Sequence, residues 1–145
     1  MNFFSGWLKK SVSKIGFEDV KIALSNPHNY VLINTMPEHI QDCLIPGTIM
    51  ARDETAFMDH LLENKIAHKR TFILYGKNAS DDTVYKKHDD LVQLGIEDVH
   101  VYSGGLFEWL LLQDIYGADN FGTTQKNPDL LKYREPKRLD RLRIA

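Results

Sequence analysis

Cysteine is nearly missing from this sequence: Cys43 stands alone. No disulfide can close within the chain, no multi-cysteine zinc site can form, and nothing points to an oxidising compartment. Long apolar runs are missing too. None reaches the roughly 18 residues that a bilayer-spanning helix needs. Lys9 and Lys10 interrupt the first 15 residues, which therefore lack the apolar centre of a signal peptide. A strong overall charge is also lacking: the formal net charge is −2, which argues against a nucleic-acid binder. The six histidines, at 28, 39, 60, 68, 88 and 100, show no i, i+4 ligand spacing. Gly104-Gly105 is followed by neither a Gly-x-Gly-x-x-Gly nor a Walker pattern. These absences lead us to expect a cytoplasmic protein with no metal, no cofactor and no nucleic-acid partner.

What remains is the make-up of a folded soluble domain. The chain has 145 residues, enough for one core, with 43% hydrophobic and 26% charged residues. Charge is distributed unevenly. Residues 126–145 hold seven Lys/Arg and three Asp/Glu, a net of +4 that leaves −6 on the rest. With prolines at 128 and 136, this tail reads as an extension leaving the domain. It is either solvated, strapped down, or a docking segment for an acidic surface through Lys137, Arg138, Arg141 and Arg143.

Periodicity outlines the elements. Phe4, Leu8, Val12 and Ile15 recur at helical spacing, with Phe3 and Trp7 alongside and Lys9, Lys10 and Lys14 elsewhere, so 3–15 reads as an amphipathic helix. Its apolar side (Phe3, Phe4, Trp7, Leu8) suits this protein's core or a partner, or less readily a membrane surface. "FEDVKIAL" repeats the pattern with Phe17, Val20 and Leu24, and Asn26-Pro27 ends it. "YVLIN" (30–34), "TFILY" (71–75) and "DVHVY" (98–102) are short apolar runs typical of buried strands, and "TIM" (48–50) is a candidate short strand. Between them, "ETAFMDHLLENKIA" is helical with Phe57, Leu61 and the Lys65 stem on one side. A helix carrying Val84, His88, Leu91 and Val92 ends at Gly95. "LFEWLLLQDIYG" forms the last helix, closed by Gly117. Its Trp109-Leu110-Leu111-Leu112 run is too crowded for one face, so part of it meets the amino-terminal helix or lies exposed. Strands alternating with helices imply a parallel sheet covered on both faces.

In such sheets ligands sit beyond the carboxyl ends of the strands, which draws attention to the loop after Tyr75. Gly76, Lys77, Asn78, Ala79, Ser80, Asp81 and Asp82 make up that loop. Ser80 and Thr83 suit the cap of the following helix, and Ser80 has no evident base to make it a nucleophile. Asp81 and Asp82 place negative charge near the helix start, where it would repel an anion.

The ordered segments "YVLINTMPEH", "IPGTI", "FILYG" and "LGIEDVHVYSGGLFEW" resemble the rhodanese-like domain over residues 14–117. The resemblance implies an α/β fold with a parallel sheet of four to five strands flanked by helices. The amphipathic helical arm would span 1–13, the rhodanese-like domain 14–122 and the basic extension 123–145. In active members a cysteine follows the central strand and carries sulfur as a persulfide, cradled by loop N–H groups. Here that position is Gly76. An acid and an arginine of the family correspond to Asn34 and Met36. Sulfur transfer needs a thiolate, and glycine offers none.

The implied function is a catalytically dead domain that binds a protein, or serves structurally, through the arm, the degenerate loop or the basic tail. A rival is a sulfurtransferase with displaced chemistry at Cys43 or a partner's thiol, although a lone free cysteine is more often structural. "FEWLLLQDIYG" is also similar to rhodanese-like proteins of protists and large DNA viruses, implying a virion-associated component as a further alternative.

Overall fold

A computed structural model of the chain describes residues 12–127 and 129–139. The proposed arm residues Phe3, Phe4, Trp7 and Leu8, and the tail residues Arg141 and Arg143, lie outside them.

Among the described residues four strands form one sheet: β1 (Ser13–Ile15), β2 (Tyr30–Asn34), β3 (Thr71–Tyr75) and β4 (Val99–Tyr102). Their order is β1-β4-β3-β2 and every pairing is parallel. Between and after them run α1 (Phe17–Ser25), α2 (Ala51–Glu63), α3 (Thr83–Gln93) and α4 (Gly105–Tyr116).

The continuous apolar runs of the strands have a direct cause. Successive residues point to opposite faces, and both faces are buried. On one face Leu32, Ile73, Tyr75 and Tyr102 pack with Val20 and Ala23 of α1 and with Leu106, Trp109 and Leu110 of α4. On the other, Ile33, Phe72, Leu74 and Val101 pack with Met58 and Leu61 of α2 and Val84 and Leu91 of α3. Phe121 stacks edge-on against Phe17 and Trp109, with centroids 5.5 and 5.1 Å away, which ties the segment after α4 to the first face.

Several expectations need correction. Residues 13–15 are a strand, not the end of an amphipathic helix. The outer edge of β4 lies open there, and Ser13, Lys14 and Ile15 pair with His100, Val101 and Tyr102. "TIM" does not form a full strand; Thr48 makes an isolated parallel bridge to Leu32. Val92 is largely exposed at 47%, so the buried stripe of α3 is Val84 and Leu91, with Tyr85 packed beside them and His88 largely covered. Lys65 falls beyond the end of α2, in a left-handed turn with φ +58°. The crowded run on α4 divides: Trp109 and Leu110 are buried, whereas Leu111 is 37% exposed.

The carboxyl-terminal extension does not leave the domain over its described part. Residues Leu130–Tyr133 form a 3-10 turn that places the Tyr133 side chain in the core of the first face. The chain beyond it runs back across the loop after β3, as its hydrogen bonds show.

Candidate functional site

The three longer strands end level with one another, because Asn34 pairs with Tyr75 and Tyr75 with Tyr102. The loop 76–82 leaves this carboxyl edge from the strand that lies between β2 and β4. Thr35 N–H donates to Tyr75 O at 2.9 Å, so the pairing of β2 with β3 continues to the point where the loop begins.

Two sets of hydrogen bonds hold the loop backbone. From α4, Leu106 N–H donates to Gly76 O (2.9 Å) and Phe107 N–H to Lys77 O (3.0 Å). This close approach explains Gly105. Its φ is +68°, and a Cβ there would stand 2.9 Å from both Asn78 N and Gly76 O. Only glycine fits the conformation and the space. From the tail, Asn78 Nδ2 donates to the carbonyls of Tyr133 (3.0 Å) and Arg134 (3.1 Å). Asn78 Oδ1 accepts from Ser80 N–H at 2.9 Å, closing an Asx turn. Asn78 is buried, and these bonds use both ends of its amide. The tail is thus a strap across the loop, and Lys132 adds an ion pair to Asp42 at 3.6 Å.

Asp81 sits at the centre of the arrangement. Its Oδ2 accepts from Lys77 N–H (2.8 Å), while its Oδ1 accepts from Thr83 N–H (3.0 Å) and the Thr83 hydroxyl (2.6 Å). A Cβ built on Gly76 would stand 2.5 Å from Asp81 Oδ2 and 2.9 Å from its Cγ. The Asp81 carboxylate therefore fills the space into which a side chain at position 76 would project. The loop holds an anion, and that anion is its own. This corrects the reading of Asp81 as charge merely placed near a helix start. It also corrects the capping expectation, because Asp81, rather than Ser80, accepts from the first N–H of α3.

The flanking positions offer no charge. Asn34 is buried and its Oδ1 accepts from Met36 N–H at 3.1 Å. Met36 is itself buried in the core of the first face. Cys43 is 2% exposed, and its thiol contacts Gln125 O at 3.4 Å. Burial pushes that thiol above its ordinary pKa, against thiolate formation. Among the described residues no group of three or more His, Cys, Asp or Glu is placed to hold a metal ion. None of the described helices is long and apolar enough to cross a membrane.

Above the loop opens a cleft of about 850 Å³. Lys77, Asn78 and Asp81–Thr83 form one side. Pro37, His39 and Ile40 form a second, and Lys132 with Arg134–Lys137 of the strap form the third. Sequence reasoning singled out the loop and offered a strapped-down tail as one alternative, but it placed neither residues 37–40 nor the tail against this cleft. The available signal was the apolar triplet Leu130, Leu131 and Tyr133 inside an otherwise charged tail.

No model of a known protein family matches the chain, and no curated protein sequence matches it. Solved structures do. BH2092 protein of Bacillus halodurans superposes with a TM-score of 0.54 at 17% identity, covering 79% of this chain and 80% of that one. A Lactobacillus plantarum protein gives 0.54 at 18% identity, covering 76% and 89%. The single-domain sulfurtransferase RDL2 of Saccharomyces cerevisiae gives 0.53 at 19% identity, covering 74% and 96%. At these identities the likeness is one of architecture alone: the chain has the rhodanese-like fold.

Proposed function

We propose that this protein is a binding module on a rhodanese-like scaffold rather than a sulfurtransferase, with Gly76 at the place of the nucleophile. One observation carries the reading: the Asp81 carboxylate occupies the space of a residue-76 side chain and takes the Lys77 and Thr83 donors. A loop that cradles a reacting sulfur must present free N–H donors to a thiolate or persulfide. Here glycine supplies no sulfur atom, and an internal anion already uses those donors. A scaffold kept without its chemistry fits recognition of a protein partner at the cleft, or a structural role.

The rival with displaced chemistry has Cys43 as its only thiol in the chain. Burial and a disfavoured thiolate count against it. Thiosulfate-to-cyanide sulfur transfer separates the two. The purified full chain should form thiocyanate no faster than a protein-free control. Turnover that disappears in Cys43→Ser would overturn this proposal in favour of the rival.

A further inference from the structure

The amino edge of the sheet, opposite the cleft, carries a second cluster of polar side chains. Thr71 opens β3, Asp98 directly precedes β4 and Ser13 opens β1. Ser13 is the register partner of His100. The Ser13 hydroxyl lies 2.7 Å from His100 Nδ1, and His100 Nε2 lies 2.6 Å from Asp98 Oδ1. The second Asp98 oxygen accepts from the Thr71 hydroxyl at 2.6 Å. That bond, with His100 adding to it, holds the Asp98 carboxyl below its ordinary pKa, so it is an anion at neutral pH. A carboxylate can only accept, which puts the ring hydrogen on Nε2. In the neutral imidazole Nδ1 is then an acceptor, and the Ser13 hydroxyl is its donor. Ser13 is exposed and the His100 side chain is partly so, which leaves the pair open to a reactant. Beside them lies a groove lined by Ile15, Ile22, Tyr30 and Ile73, with Asp19.

We infer that Ser13 is a nucleophile toward neutral short-chain carboxylic esters, with His100 as its base and Asp98 as a positioning residue. Hydroxyl, imidazole and carboxylate stand in the order that an activated serine requires, with the two ring nitrogens exchanged relative to the serine proteases. A tie between β1 and β4 would need only the bond from Ser13 to His100. Asp98 and Thr71 go further and fix the ring in the tautomer that can take a proton from serine. In the reaction, Ser13 Oγ bonds to the acyl carbon as its proton passes to His100 Nδ1. Asp98 stabilises the imidazolium that forms. The bond from the acyl carbon to the leaving oxygen breaks, and that oxygen takes the proton from Nδ1. Water then repeats the sequence on the acyl-serine, releasing the carboxylic acid and restoring Ser13. The groove sets the substrate class. Its volume, about 150 Å³, suits a group the size of benzene or smaller. Its apolar walls favour an alkyl or phenyl acyl group, and Asp19 disfavours a negatively charged one. The site shares no residue with the cleft, so the inference stands apart from the binding-module reading.

The test treats the full chain with p-nitrophenyl butyrate and, separately, with a small fluorophosphonate. Release of p-nitrophenol should exceed that of a protein-free control. Peptide mass spectrometry should place the phosphonate on Ser13 rather than on the exposed Ser25. Ser13→Ala should remove both signals, and Ser25→Ala should change neither. His100→Gln and Asp98→Asn should each slow both reactions at least about tenfold, the lower end of what general acid–base groups contribute. Asp98→Asn, at a half-exposed carboxylate, decides the matter if His100→Gln does not fold. The hemisuccinate ester, whose acyl group is charged, should be cleaved more slowly than the butyrate. The inference is overturned if no adduct forms on Ser13. It is overturned equally if ester cleavage survives Ser13→Ala undiminished, which would make it the work of another group. Undiminished labelling of Ser13 in Asp98→Asn, with the circular dichroism spectrum of the wild type retained, would reduce the cluster to a tie between strands. Sulfur transfer plays no part in these measurements, so their failure leaves the binding-module reading untouched.

Discussion

At the scale of single residues, the pair Gly76 and Asp81 defines the site. Restoring a thiol is not simply a matter of writing cysteine at position 76. The new Cβ would stand 2.5 Å from Asp81 Oδ2, so that carboxylate must swing away and abandon Lys77 N–H and Thr83. If it stays near, its charge opposes the thiolate. In a Cys43→Ser background, Gly76→Cys should therefore lower stability and give a thiol with a pKa at or above the ordinary value of about 8.5. Adding Asp81→Gly removes both the carboxylate and its Cβ and leaves the Lys77 and Thr83 donors to the sulfur. The double variant should titrate at least about one unit lower than the single one, since each N–H bond to the thiolate favours the charged form. The pH dependence of iodoacetamide alkylation measures both. Equal values in the two variants would show that the loop donors do not converge on position 76.

Among secondary-structure elements, the contact between the loop and the start of α4 matters most, and Gly105 is its test. Alanine there faces two independent costs. A φ of +68° is strained for any side-chain-bearing residue, by about 1 kcal/mol or more. The added methyl meets backbone atoms of Gly76 and Asn78 at 2.9 Å, which cannot rotate aside. Overpacking of that kind costs about 1–3 kcal/mol. Gly105→Ala should thus lose about 3 kcal/mol and roughly 10 °C in Tm, measured by thermal unfolding. Gly95→Ala is the contrast: φ is +91°, but nothing lies within 4 Å of the added carbon, so only the backbone term applies and the loss should be smaller. The elements differ in how openly the sequence displays them. β2, β3 and β4 were legible because burial on both faces demands unbroken apolar runs such as "YVLIN" and "TFILY". β1 was not, because its three residues "SKI" carry no strand pattern of their own and pair only because β4 offers a free edge. The loop was located by its place after β3. The bond from Lys77 to Asp81 was not foreseen, since an aspartate before a helix has the same sequence whether it faces solvent or folds inward.

For the molecule as a whole, the strap decides whether the tail is an appendage or part of the body. Composition suggested an appendage, because seven cations and two prolines outweigh a few apolar residues. Tyr133 reverses that judgement. It is fully buried in the core that also contains Cys43, Tyr75 and Trp109. Burial, with the Asp42 carboxylate and Cys43 adding to it, pushes the Tyr133 hydroxyl to about 12, so it is neutral at any physiological pH. The hydroxyl has no partner in good hydrogen-bond geometry beyond a weak interaction with the Asp42 carboxylate, which separates what its ring does from what its oxygen does. Tyr133→Phe should change stability by less than about 1 kcal/mol, because a buried oxygen so weakly partnered contributes little that is favourable. Tyr133→Ala should cost about 3 kcal/mol or more, as emptying an aromatic site in a core does. It should also loosen the strap that Asn78 holds. Cys43 reports on that release without any added label. Its thiol is 2% exposed in the intact protein and should react slowly with a disulfide reagent there and in Tyr133→Phe, but quickly in Tyr133→Ala. Were Cys43 to remain protected in Tyr133→Ala at unchanged stability, the strap would be a surface ornament. The wall it gives the cleft would then lack the anchored backbone on which the binding-module reading depends.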